Sequence, residues 1–209
     1  MDGIRCARAT ELPSEPIRVL LEIAAAFDRL GIEWLLGGSM ASSILGEPRT
    51  SVDIDLALRL QIQDIDRLGQ ELASTFFVDP EAGRDAIRRR TSFNVIHRET
   101  MLKVDLFVLG DATFDREQLS RRRPTRVSPE SPQQVPVSSA EDLVLRKLAW
   151  FRAGGGVSDR QWRDVLGILK VQRGHLDAAY LHRWAESLGL TELLEHALRE
   201  AQAPEGLEP

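Results

Sequence analysis

The sequence predicts an α/β protein: a β-sheet flanked by helices, followed by a C-terminal helical bundle. Three observations carry this expectation. Short apolar runs with period-two alternation recur up to residue 109, separated by segments with helical spacing. A stretch holding Pro124, Pro129, Pro132 and Pro136 then interrupts the pattern. Beyond it, every segment reads as helical. The expected division is therefore an α/β domain over 1–135 and a helical domain over 136–209, a size split within domain norms. No internal repeat is visible.

A first helix is expected over 14–30, where Ile17, Leu20, Leu21, Ala24 and Ala25 have helical spacing. Ser14 stands at its N-cap and Gly31 ends it. "EWLLGG" at 33–38 reads as a short buried strand running into a turn. "SMASSILG" at 39–46 reads as a helix of small residues closed by Gly46. A strand over 52–58 and a helix over 62–75 follow, then strands at 76–79, 93–97 and 103–109. Residues 80–90 suit either a helix or a long loop, and 113–123 are weakly helical. The proline-rich 121–139 reads as a linker or an edge-strand connection, because proline lacks a ladder donor. Four helices are expected over 139–153, 159–171, 174–187 and 190–202, with Ser139 opening a capping arrangement. The tail after Pro204 is expected to fray.

The net charge of −5 and pI near 5.5 exclude a surface that is wholly a nucleic-acid footprint, though a local basic patch stays open. Cys6 is the single cysteine, so no intramolecular disulfide forms and a reducing compartment fits. The N-terminal stretch has no apolar signal region, and the run at 19–27 is short and contains Glu22. The expectation is a cytoplasmic protein with no membrane partner.

Two aspartates inside an apolar strand need an explanation. In 52–58, Val52, Ile54, Leu56 and Leu58 fall on one face, and Asp53, Asp55 and Ala57 on the other. Same-face neighbours lie roughly 7 Å apart, so two like charges repel unless a cation sits between them. Hard oxygen ligands suit Mg²⁺ or Mn²⁺. Just upstream, Gly37 and Gly38 let backbone N–H groups approach a ligand closely, and the helix start with Ser39 favours an anion. In 103–109, Asp105 lies with Lys103 and Phe107 opposite an apolar face of Val104, Leu106 and Val108. Three such carboxylates on neighbouring strands can hold two metal ions that activate a hydroxyl and steady a leaving pyrophosphate.

These residues, in this order, resemble the nucleotidyltransferase superfamily related to DNA polymerase β. The matching positions are Gly37, Gly38, Ser39, Asp53, Asp55 and Asp105, over about residues 33–109. "SAEDLVLRKLAWFR" and "SDRQWRDVLGIL" are in turn similar to the AbiEii toxin-type branch, with Lys147, Arg160 and Asp164 at its helix positions. The resemblance implies a nucleotidyltransferase-type mixed sheet and metal-dependent transfer of a nucleoside monophosphate from an NTP. It implies Asp53, Asp55 and Asp105 as metal ligands and catalytic acids. It also implies Gly37, Gly38, Ser39, Arg49, Lys147, Arg160 and Asp164 around the nucleotide. Some members of that group modify tRNA as toxins. The acceptor is therefore tRNA or, as in enzymes acting on aminoglycosides or lincosamides, a small hydroxylated molecule. A cognate antitoxin is an implied partner, and a non-catalytic antitoxin or regulatory role is the remaining alternative.

Plainer readings exist for each residue alone. Lys147 fits a snorkelling surface lysine, and Arg160 with Asp164 an i,i+4 ion pair. Arg88–Arg90, Arg121–Arg123 and Arg126 read as a solvated charged face rather than an RNA contact. His97, His175, His182 and His196 lack ligand spacing. Trp150, Trp162 and Trp184 read as the core of the helical half.

Overall fold

The computed structural model describes residues 13–50 and 52–202; Cys6 and the tail after Pro204 lie outside the described residues. Helix α1 (Glu15–Leu30) buries Val19, Leu20, Ile23 and Phe27 and ends where Gly31 adopts φ 68°. Ser14 occupies the N-cap position without a side-chain cap bond, and Pro16 sits in the first turn, where its missing N–H costs nothing. Strand β1 (Trp34–Leu36) runs into α2 (Gly38–Leu45), and β2 (Ile54–Leu58) follows. Next come α3 (Asp64–Leu72), β3 (Phe76–Val78), α4 (Pro80–Arg89), β4 (Ser92–His97), β5 (Lys103–Val108) and α5 (Thr113–Arg121).

The 80–90 segment is a helix. Its Asp79 cap accepts from the Glu81 and Ala82 N–H groups, and Pro80 opens its first turn. Only Gly83, Ala86 and Ile87 are buried along it, which is why its periodicity was ambiguous. Strand β2 is two residues shorter than expected: it begins at Ile54, opposite Val104, and Val52 is 55% exposed. Asp53 therefore precedes the ladder instead of belonging to it.

The proline-rich stretch forms an edge hairpin, β6 (Arg123–Arg126) and β7 (Gln134–Val137), with Pro124 opposite Pro136. The mixed seven-stranded sheet has the order β3-β4-β5-β2-β1-β7-β6, so β6 takes the edge where proline is tolerated. β7 pairs parallel to β1 through Leu36 and Val137, and the expected boundary at 135/136 falls inside it.

Helices α6 (Ala140–Ala153), α7 (Asp159–Val171), α8 (Ala178–Ser187) and α9 (Thr191–Gln202) complete the chain. Helix α8 starts four residues later than expected because Asp177 caps it, accepting from the Tyr180 N–H at 2.9 Å. One hydrophobic cluster runs from Val19 of α1 through the sheet to Ala201 of α9.

Helix α7 packs directly on α2. A Cβ at Gly46 would stand 2.8 Å from the Ile168 nitrogen and 2.9 Å from the Gly167 carbonyl carbon, both backbone atoms. Gly46→Ala is expected to lower stability by about 1–3 kcal/mol through this overpacking. The check is a urea midpoint that falls while its slope stays constant; an unchanged midpoint would show that α7 gives way.

Candidate active site

The site is built where β1 turns into α2. The Gly37 N–H donates to the Asp55 carbonyl at 2.9 Å, tying the turn to β2. Gly38 adopts φ +56°, the left-handed region that disfavours a side chain. A Cβ there would also lie 1.8 Å from Asp55 Oδ2. Conformation and proximity both require glycine at this position. The Ser39 N–H at the start of α2 donates to the same Oδ2 at 3.4 Å.

The strand alternation sends Ile54, Leu56 and Leu58 into the core and leaves Asp55 and Ala57 half-buried on the opposite face. Parallel pairing sets Asp55 beside Asp105, and adjacent strands lie about 4.8 Å apart. Burial pushes the Asp55 carboxyl above its ordinary range, and Asp105 and Asp53 act in the same direction, while the Ser39 N–H and Lys147 oppose it. Asp53 meets Arg160 at 3.1 Å, and Asp105 meets Lys103 at 2.9 Å. The bond to Asp105 raises the Lys103 ammonium above its usual value.

A second cluster joins the sheet side to the bundle. Asp164 accepts from Arg49 Nε and Nη2, both at 2.8 Å, and from Lys147 Nζ at 2.7 Å. Lys147 is 1% exposed and also donates to Gln161 at 3.1 Å. Burial lowers the Lys147 ammonium, with Asp164 holding it up. Burial alone would raise Asp164, but its bonds to Arg49 and Lys147 win and hold the carboxyl below its usual range. Lys147 is therefore not a snorkelling lysine, and Arg160 and Asp164 do not pair with each other: Arg160 reaches Asp53 instead.

Of the residues singled out in the sequence, Gly38, Ser39, Arg49, Asp53, Asp55, Asp105, Lys147, Arg160 and Asp164 line one cavity of about 410 Å³. Gly37 lines an adjoining chamber. Phe107, Trp150 and Gln161 also line the cavity, and the sequence reading missed them. Phe107 shares the Asp105 face of β5, and Trp150 lies one helical turn beyond Lys147; those spacings were the available signals. Trp150 does not belong to the bundle core: it is 36% exposed and packs on Phe107 with ring centroids 5.3 Å apart. The arginine clusters are largely engaged within the chain. Arg121 lies 3.8 Å over the Tyr180 ring and bonds Glu141, Arg90 bonds the Leu109 carbonyl, and Arg126 the Ser131 carbonyl.

Among the described residues, no group of three or more His, Cys, Asp or Glu is arranged to hold a metal ion. The three carboxylates share the cavity without closing into a cage, because Asp53 and Asp105 lean on Arg160 and Lys103. The donor chemistry nevertheless fits: Mg²⁺ needs only one or two carboxylates, with water and phosphate oxygens completing its octahedron.

A sheet of this order, with a Gly-Gly turn packed under paired aspartates, defines a nucleotidyltransferase fold. Two solved structures share it. An antigenic nucleotidyltransferase-like protein from Paracoccidioides brasiliensis aligns at 17% identity and TM-score 0.53, covering 90% of this chain and 94% of that one. The antibiotic-resistance factor ANT(2'')-Ia aligns at 12% identity and TM-score 0.54, covering 86% and 96%. No curated protein matches the chain. The protein belongs to the nucleotidyl transferase AbiEii toxin family of type IV toxin–antitoxin systems, whose sequence profile matches residues 19–205. It is thus an enzyme of the nucleotidyltransferase class. No helix of the described residues is long and apolar enough to cross a membrane.

Proposed function

We propose that the protein transfers a nucleoside monophosphate from an NTP to an acceptor hydroxyl of tRNA and releases pyrophosphate. Mg²⁺ or Mn²⁺ would be held by Asp53, Asp55 and Asp105. One observation supports this above the others: the three acids share a cavity with the start of α2 and with Lys147, Arg49 and Arg160. A bound divalent ion supplies charge neutralisation for the triphosphate and its leaving group.

In this reading the acceptor oxygen bonds to the α-phosphorus as the bond to the bridging oxygen breaks. The electron pair leaves with pyrophosphate, and Asp105 helps take the acceptor proton. Amide N–H groups at Gly38 and Ser39 donate to triphosphate oxygens, as a helix start is suited to do, the Ser39 group giving up its 3.4 Å bond to Asp55. Arg160 and Lys147 supply positive charge, and Asp164 positions Lys147 and Arg49 through the bonds described. Each of these cations is committed to a carboxylate, so the triphosphate has to compete for them. A cognate antitoxin is the protein partner that toxin–antitoxin membership suggests.

The test incubates the protein with each α-labelled NTP, Mg²⁺ or Mn²⁺ and total RNA, beside an Asp53→Ala/Asp55→Ala control. Label on tRNA that vanishes in the control is expected. Label on kanamycin or lincomycin, supplied in parallel reactions, with none on RNA would overturn the acceptor. No label on any of these acceptors, together with no NTP binding by titration calorimetry, would favour a non-catalytic partner.

A further inference from the structure

Two of the three acids in the cavity already hold cations. Lys103 stands two residues before Asp105 on the same face of β5, and its Nζ lies 2.9 Å from Asp105 Oδ2. Arg160, in the first turn of α7, places its Nη2 3.1 Å from Asp53 Oδ2, 107 positions back in the chain. Asp55 differs. Among the described residues no cation bonds it; its Oδ2 accepts from the Ser39 N–H.

The charges of the cavity come close to balance. Arg49, Lys147 and Arg160 line it against Asp53, Asp55, Asp105 and Asp164, which leaves one acid in excess, and Lys103 bonds Asp105 from outside that lining. Arg49 and Lys147 share Asp164, which is buried, and are fixed there. The other two pairs are open to water. The Lys103 and Asp105 side chains are 55% and 26% exposed, and those of Arg160 and Asp53 56% and 53%. Pairs so exposed are held weakly, and both cations have solvent to turn into. The site therefore contains two kinds of cation, one pair built in and one pair free to leave.

We propose that Lys103 and Arg160 are exchangeable counter-ions of the metal site: each holds its carboxylate while the site is empty and gives it up to an incoming divalent ion. Without them, Asp53 and Asp105 would face Asp55 with no compensating charge of their own, and like charges at that spacing repel. Lys103 is thereby a positioning residue, acting on the reaction through Asp105. Arg160, once released from Asp53, is available to the triphosphate. The inference rests on the metal site proposed above and deepens it.

The experiment follows free Mn²⁺ by electron paramagnetic resonance as the ion is titrated into the protein at low salt, without nucleotide. Lys103→Met and Arg160→Met are each expected to bind Mn²⁺ about threefold tighter or more, with Lys103→Arg within about twofold of the parent. Both positions are exposed, and thermal melting checks that every variant folds. Removing any positive charge nearby has the same sign, so a double-mutant cycle decides. In an Asp105→Asn background the gain from Lys103→Met is expected to vanish, and in an Asp53→Asn background the gain from Arg160→Met, because the cation then has no acid to release. Gains that persist undiminished in those backgrounds overturn the inference in favour of a long-range field. Affinities equal to the parent's in Lys103→Met and Arg160→Met overturn it outright, and a gain at one position alone overturns it for the other. Failure of the metal site itself looks different: Mn²⁺ then binds neither the parent nor these variants, or binds them and is unaffected by Asp55→Ala.

Discussion

Gly38→Ala is expected to lower nucleotidyl transfer at least ~100-fold while the chain still folds. Two costs coincide at this position. The backbone φ of +56° penalises any Cβ, by roughly 1–2 kcal/mol. The added carbon would also overlap Asp55, whose Oδ2, Cγ and Cβ lie 1.8, 2.4 and 2.5 Å from its ideal position. Either Asp55 swings out of the cavity or the start of α2 retreats, and both separate the carboxylate from the helix start. The measurement pairs the labelling rate with a urea melt. Full activity with a normal melt would mean that Asp55 need not stand where the structure places it. Gly37 is the internal comparison. It has φ −122°, and a Cβ there meets only the Asp55 carbonyl oxygen at 3.9 Å, so Gly37→Ala is expected to cost less than about 0.5 kcal/mol of stability.

The second large effect concerns Asp164. Asp164→Ala strands Lys147, which is 1% exposed, and frees Arg49; breaking a buried pair in this way typically costs about 3–5 kcal/mol. A charge pair replaced whole behaves differently. Lys147→Met/Asp164→Leu removes both buried charges, and Arg49, 29% exposed at its side chain, can turn to solvent. The double variant is expected to recover most of the lost stability and none of the activity, which separates holding the fold from serving the reaction. If the double variant is as unstable as the single one, the packing around the pair, not its charge, carries the effect.

Asp164 also gives the pH dependence a sign. Its carboxyl is held below the ordinary value of 3.8, so the unfolded chain binds the proton more readily. Its contribution is present in full above that ordinary value and is lost as pH falls through the lower folded value. The stability gap between the protein and Asp164→Asn should therefore be constant near neutrality and close below about pH 4. A gap that widens with acid would contradict the assignment.

Much of this site was legible in the sequence, for physical reasons. Strand alternation alone put Asp55 and Asp105 on the face away from the core, and the Gly-Gly turn pointed to a close approach. What the alternation did not reveal was where the ladder begins, so Asp53 was assigned to a strand that starts one residue later. Lys147 was singled out through the resemblance, but its pairing with Asp164 was not. Arg49 and Asp164 are 115 residues apart, and local spacing instead suggested pairing Arg160 with Asp164. The Phe107–Trp150 wall was missed for a related reason. An aromatic residue at a helical or strand period looks the same whether it faces a core or a cleft, and only the packing of α6 over β5 decides. The proline-rich stretch was misread in part: it is neither a linker nor wholly an edge, because β7 carries Pro136 between β1 and β6 and buries Val135 and Val137 in the core.

That position of β7 has a consequence during synthesis. The strand carrying the Gly-Gly turn gains its second neighbour only when Val137 has been made, and the bundle wall of the cavity arrives later still, with Lys147, Arg160 and finally Asp164. Domains fold as their segments emerge, so a nascent chain that stops short of α7 carries Asp53 without Arg160, and Arg49 and Lys147 without Asp164, while Asp105 already has Lys103. For a member of a toxin family, a translation product that stops short of α7 therefore lacks part of the site.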